Sequence, residues 1–132
     1  FNDDWYGFDD AIYSALRIIE VLSINKLTPH EVFDSYPKHF STPEINLKVT
    51  EKDKFKIIDE LKTLINYSGY ELIDIDGIRL ENENSWGLVR ASNTSPNLVL
   101  RFEGKTESDL LEIKNYFKQI LSKIEFDFQL DF

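Results

Sequence analysis

Trp86-Gly87-Leu88-Val89-Arg90-Ala91-Ser92-Asn93-Thr94-Ser95-Pro96-Asn97-Leu98-Val99-Leu100-Arg101-Phe102-Glu103 is the stretch on which the reading of the fold turns. Two apolar runs flank a short polar loop, the pattern of two strands joined by a turn. Between Arg90 and Pro96 the loop gathers a guanidinium, three hydroxyls, a side-chain amide and a closing proline. Arg90 offers a planar fork of charged donors and Ser92 and Thr94 offer hydroxyls. A tight loop through Asn93 can also turn backbone N–H groups toward one anion. Such a donor set suits a phosphate. Ser, Asn and Thr are equally the ordinary residues of turns, so the plain alternative is a polar hairpin turn without a ligand. The arginine ahead of them favours the anion.

Working outward, Thr106 and Asp109 read as the cap of a helix whose apolar side is Leu110, Ile113, Phe117, Ile120, Leu121 and Ile124. Upstream, Asn82-Glu83-Asn84 reads as a turn, Ile78 to Glu81 as a strand, Asp76-Gly77 as a two-residue hairpin turn, and Leu72, Ile73 and Ile75 as the strand before it. Thr50 and Asp53 form a capping pair for a helix expected to turn Phe55, Ile58, Leu61 and Ile65 inward and to close near Gly69. Ile45, Leu47 and Val49 alternate with polar residues as a half-buried strand does. The order from Ile45 onward is therefore β-α-β-β-β-β-α, an α+β fold with two helices on one face of an antiparallel sheet. The tail Glu125 to Phe132 alternates acidic and aromatic residues, and partial order is expected there.

Residues 1–40 read as a separate helical segment. Ile12, Ala15, Leu16, Ile19 and Leu22 recur at helical spacing behind Asp9 and Asp10, whose charge suits a helix N-terminus. Thr28-Pro29-His30-Glu31 announces a shorter helix that ends before Pro37. Ser41-Thr42-Pro43-Glu44 reads as an extended connector and candidate hinge, because proline biases its predecessor away from helix. The domain boundary is placed between 40 and 41.

A net charge of −9, from 15 basic and 24 acidic residues, argues against a general nucleic-acid or membrane-surface binder, so any anion site must be local. With 42% hydrophobic and 14% aromatic residues the chain can build a core. Cysteine is absent, which excludes disulfides and thiolate metal sites. No apolar run approaches the ~18 residues of a membrane span, and the expected location is the cytoplasm. Methionine is absent even at position 1, from which we expect a piece of a longer chain.

Other candidate sites have ordinary explanations. His30 falls in a helix first turn and His39 in a loop, with no second ligand spaced as zinc requires. Asp74-Ile75-Asp76-Gly77 opens like a calcium loop, but the twelfth position, where that loop needs a bidentate glutamate, is Ser85. Asp9 and Asp10 are explained by the helix start, and Trp86 by packing within the sheet.

Several segments in order, Trp5-Tyr6-Gly7-Phe8-Asp9-Asp10-Ala11-Ile12-Tyr13-Ser14-Ala15, Ser41-Thr42-Pro43-Glu44-Ile45, Asp76-Gly77-Ile78-Arg79, Gly87 to Thr94 and Leu98 to Glu103, resemble the C-terminal part of the α-D-phosphohexomutases, specifically the bacterial phosphomannomutase/phosphoglucomutase group. The resemblance runs nearly end to end. It implies that residues 1–40 close the third of four domains, and that 41–132 are the fourth, with a TATA-binding-protein-like sheet. It also implies that Arg90, Ser92, Asn93 and Thr94 form the substrate phosphate-binding loop. Related phosphoglucosamine mutases usually carry Ser-Gly-Thr there, so Asn93 favours the mannose/glucose group. The family interconverts hexose 1- and 6-phosphates as an isomerase of carbohydrate metabolism, through a phosphoserine, Mg2+ and a hexose 1,6-bisphosphate. The resemblance places the phosphoserine and metal ligands upstream. No catalytic residue, metal or cofactor is therefore expected in this chain, and it should be inactive alone. Its expected partners are a phosphosugar and the upstream mutase domains, with no nucleic acid and no membrane. The competing expectation is a stand-alone phosphosugar-binding module.

Overall fold

In a computed structural model, which describes residues 2, 4–66 and 69–132, the chain divides into two compact units, Phe1–Lys38 and His39–Phe132.

The first unit carries α1 (Ala11–Asn25) and α2 (Pro29–Asp34). Asp10 caps α1 by accepting from the Tyr13 N–H at 2.9 Å. α2 starts with a reciprocal box: the Glu31 N–H donates to Thr28 Oγ1, and the Thr28 N–H donates back to the Glu31 carboxylate at 2.8 Å. Both starts fall where the sequence places them, because short polar side chains satisfy amides the first helical turn leaves free.

The second unit holds β1 (Phe40–Ser41), β2 (Ile45–Lys48), α3 (Asp53–Leu64), β3 (Glu71–Ile73), β4 (Ile78–Glu81), β5 (Ser85–Ala91), β6 (Asn97–Gly104) and α4 (Glu107–Leu121). From β2 onward the order is the expected β-α-β4-α. The sheet runs β1-β6-β5-β4-β3, with β2 also on β6, and every pairing is antiparallel. One sheet face turns Ile78, Leu80, Val89, Leu98, Leu100 and Phe102 toward α3 and α4, where they join Ile57, Leu61, Ile113 and Phe117 in one core. The Phe102 and Phe117 rings meet edge to face at 5.3 Å, a geometry their quadrupoles favour. α4 begins on the expected Thr106/Asp109 capping box.

Several local expectations differ from the structure. Ser41 to Glu44 is only partly a connector. Phe40 and Ser41 pair with Gly104 and Glu103. Thr42 is buried, its N–H donating to Phe102 O at 3.0 Å and its Oγ1 accepting from the Phe102 N–H at 3.1 Å. Pro43 excludes helix and leaves extended backbone, and extended backbone beside an open strand edge pairs with it. The division between units accordingly falls before His39, not after Phe40.

Helix α3 turns a different face inward: Lys54, Ile57, Ile58 and Leu61 are buried, whereas Phe55 is 55% exposed. Positions 54, 57, 58, 61 and 65 make a complete helical stripe. Phe55 lies about 100° off it.

Asp76-Gly77 is not a two-residue turn. Ile73 pairs with Arg79, so the loop between those partners spans 74–78, with Gly77 at φ +86°. Ile75 lies in that loop and is 93% exposed rather than in a strand.

Trp86 packs away from the core, under the Arg79 guanidinium, which lies 4.1 Å from its ring. The tail forms no strand. Phe126, Phe128, Leu130 and Phe132 pack against the core, with Phe132 stacked on Phe102 at 5.4 Å. The turn expected near Gly69 lies partly outside the described residues.

Candidate functional site

Alternation along β5 places Trp86, Leu88 and Arg90 on the sheet face that α3 and α4 leave uncovered, while Val89 and Ala91 enter the core. Ser92 follows one residue past the strand. A short loop then returns the chain into β6.

Three hydrogen bonds fix the base of this loop. The Ser92 N–H donates to Asn97 O at 2.9 Å, and the Val49 N–H donates to Pro96 O at 2.9 Å. From beneath, Lys54 Nζ donates to Ser92 O at 2.7 Å.

Inside the loop the donors run in one direction. Asn97 Nδ2 donates to Ser95 Oγ at 3.2 Å, Ser95 Oγ donates to Ser92 Oγ at 2.9 Å, and the Thr94 N–H approaches Ser92 Oγ at 3.4 Å. A hydroxyl has two acceptor positions and one proton. With both positions of Ser92 Oγ engaged, its own proton is left to donate elsewhere. Asn93 and Thr94 are exposed at the tip. Ser92 itself is 9% exposed, so this hydroxyl is held in place by protein rather than by water.

Arg90 is 39% exposed and ion-paired, Nη1 to Asp76 Oδ2 at 3.1 Å. One bond to a guanidinium with five N–H donors orients the side chain and leaves most of its donors free. The pair is exposed, so its contribution to stability is small and its effect is mainly orientational. Arg90 and Asp76 help line an open groove of about 430 Å³ on the uncovered sheet face, together with Arg79, Leu88, Val99 and Arg101. Arg79 is bound by Glu81 at 2.7 Å, and among these cations Arg90 directly precedes the loop.

The structure places Arg90 near the end of β5 and Ser92, Asn93 and Thr94 in the loop that follows it. Beyond the four expected phosphate-binding residues, Ser95 and Asn97 are hydrogen-bonded in a chain to Ser92, Asp76 holds Arg90, and Lys54 reaches Ser92 O. The signal for Lys54 was available, since it shares the helical stripe of Ile57, Ile58 and Leu61. A charged residue on an apolar stripe needs a buried partner.

The remaining candidates lie elsewhere. His30 Nε2 is 3.0 Å from Asp34 Oδ2, and His39 Nδ1 is 2.8 Å from Glu103 Oε1. Among the described residues no three His, Cys, Asp or Glu side chains are placed to hold a metal ion. The described side chains do not fit a Mg2+ site. No helix among the described residues is long and apolar enough to cross a membrane.

Comparison with known proteins identifies the family of this fold. Residues 44–120 match the family model described as phosphoglucomutase/phosphomannomutase, C-terminal domain. A phosphomannomutase/phosphoglucomutase of Pseudomonas putida is 48% identical over 131 residues, covering 99% of this chain and 28% of that protein. A phosphoglucomutase of Neisseria gonorrhoeae is 42% identical over 92% of this chain and 26% of its own length. A probable phosphoglucosamine mutase of Pyrococcus furiosus is 34% identical over 83% of this chain and 24% of its own length. Among solved structures, a phosphoglucomutase/phosphomannomutase family protein from Burkholderia thailandensis superposes with a TM-score of 0.78 at 36% identity, over 97% of this chain and 27% of that one. The chain therefore spans about a quarter of the length of the relatives it matches. It belongs to the phosphoglucomutase/phosphomannomutase family, through the C-terminal domain of that family at residues 44–120.

Proposed function

We propose that Arg90, Ser92, Asn93 and Thr94 grip a phosphate of a hexose phosphate, and that the chain serves as the C-terminal part of a longer phosphohexomutase. The observation that carries this reading is the one-way hydrogen-bond chain from Asn97 through Ser95 to Ser92. It leaves a buried hydroxyl with its proton available to donate, shortly after a half-exposed guanidinium in the chain.

In such an enzyme a phosphoserine, carried by the rest of the protein, exchanges a phosphoryl group with hexose 1- or 6-phosphate. The resulting bisphosphate reorients before the other phosphate returns to the serine. Phosphoryl transfer depends mainly on positioning and charge stabilisation, and the loop's task is to hold the phosphate that is not reacting. Arg90 supplies charge, Ser92 and Thr94 supply hydroxyl donors, and Asn93 supplies a backbone N–H. Mannose and glucose phosphates are the proposed substrates, and the chain by itself does not turn over. The proposed pivot for closing the domain lies at Pro37 and Lys38, upstream of the expected Ser41 to Glu44, because Ser41 and Thr42 are bonded into the sheet.

The test is Arg90→Ala in the longer enzyme that carries this chain. Charge-assisted hydrogen bonds contribute about 1.5 to 3 kcal/mol each, so capture of hexose 1-phosphate should weaken by about ten- to a hundredfold, read mainly in KM. An unchanged KM and kcat would sink the assignment.

A further inference from the structure

We propose that Lys54 is a positioning residue for the phosphate loop. Its buried ammonium fixes the peptide between Ser92 and Asn93 so that the Asn93 N–H faces outward as an anion donor. This inference rests on the reading of the loop as a phosphate site.

The observations start with burial. Lys54 is 1% exposed on a helix stripe whose other members, Ile57, Ile58 and Leu61, are apolar. A methionine or leucine could fill that space without the cost of desolvating an ammonium. The charge is instead retained and aimed. Nζ donates to Ser92 O at 2.7 Å and pairs with Glu51 Oε1 at 2.6 Å, while the Phe55 ring centroid lies 5.2 Å away. Glu51 is 67% exposed, so the carboxylate sits toward water and the ammonium toward the loop.

Peptide geometry supplies the consequence. In a trans peptide the C=O and the following N–H point in opposite directions, and no peptide bond among the described residues is cis. Holding Ser92 O down onto Lys54 therefore turns the Asn93 N–H away from the core, toward the exposed loop tip. A cation on the carbonyl oxygen also polarises the peptide, which makes that N–H a stronger donor. Ser92 N–H is already bound to Asn97 O, so the peptide on the other side of Ser92 is fixed as well. Lys54 touches no bound phosphate in this arrangement and acts through the Ser92–Asn93 peptide.

The test is NMR of the isotopically labelled 132-residue chain, with inorganic phosphate as the probe. In the wild type, phosphate at millimolar levels moves the Asn93 amide downfield, and the Lys54 ammonium nitrogen shows a scalar coupling across the hydrogen bond to the Ser92 carbonyl carbon. In Lys54→Met the phosphate dissociation constant rises about tenfold, and the Asn93 response shrinks more than that of Thr94. Lys54→Arg, which keeps the charge, recovers part of both. A merely structural role would shift core amides in both variants and leave the Asn93 response intact. If Lys54→Met binds phosphate as the wild type does, the proposal is overturned and the phosphate reading stands. If no loop amide of the wild type responds to phosphate, that reading fails and takes the Lys54 role with it. Should Lys54→Met not fold, the wild-type coupling decides: its presence supports the proposal, and its absence overturns it.

Discussion

Gly77 shows how a single residue far from the loop in sequence governs its placement. Its φ of +86° lies in the left-handed region, and a Cβ there would collide with Val89 O and come within 2.7 Å of Arg90 Cα. Only hydrogen fits, and the strand that carries Arg90 lies directly against it. Gly77→Ala should destabilise the chain by about 2 kcal/mol or more, because backbone strain and overlap act together. Urea denaturation checks this, and an unchanged midpoint would mean that the β3–β4 loop relaxes freely. The neighbouring Asp76 holds Arg90 at 3.1 Å, so the same substitution should also disturb the Arg90 side-chain signals. At this scale the sequence was only partly legible. Arg90, Ser92, Asn93 and Thr94 could be gathered from their adjacency, and the glycine could be read as a turn. That the turn packs on the loop's own strand depends on a contact between residues 12 or more positions apart, which spacing does not reveal.

At the scale of elements, helix starts were read from sequence because capping is local. The Thr28/Glu31 box and the Thr106/Asp109 box both formed where short polar residues lie three apart. In the first, the Thr28 N–H, and after it the Thr28 hydroxyl, hold the Glu31 carboxyl below the usual glutamate range. The folded pKa is lowered relative to the unfolded one, so this contribution to α2 is present above the ordinary glutamate range and is lost as pH falls through the folded value. Thr28→Ala should raise the Glu31 pKa only part of the way toward the ordinary range, because the hydroxyl is lost and the backbone N–H stays, measured by the side-chain carboxyl carbon shift against pH. A pKa that does not rise at all would show that the Thr28 hydroxyl plays no part in lowering it. Thr106→Ala should cost about 1 kcal/mol of global stability, since α4 packs on the core and its cap is lost with the hydroxyl. Thermal unfolding measures it, and an unchanged midpoint would show that Asp109 alone caps the helix. The inward face of α3 was misread for a different reason. Hydrophobicity ranks Phe55 above Lys54, but burial followed the stripe that supplied both apolar contacts and a partner for the amine.

For the whole molecule, the division before His39 is the feature with the clearest consequence. Lys38 is exposed, whereas the strand that follows is bonded into the sheet. Brief trypsin treatment should therefore cut after Lys38 before it cuts at Lys54 or in β6, leaving a stable piece that begins at His39. Early cleavage within the second unit would contradict its compactness. The sequence by itself determined the order of elements from Ile45 onward, the capping boxes of α2 and α4 and the α+β class, because these follow from periodicity and from neighbours a few positions apart. Only the tertiary structure decided that Ser41 and Thr42 complete the sheet edge, that Trp86 faces away from the core, and that Lys54 reaches Ser92. Each depends on which strand edge, sheet face or carbonyl lies open nearby once the chain has folded, and local pattern carries no record of that.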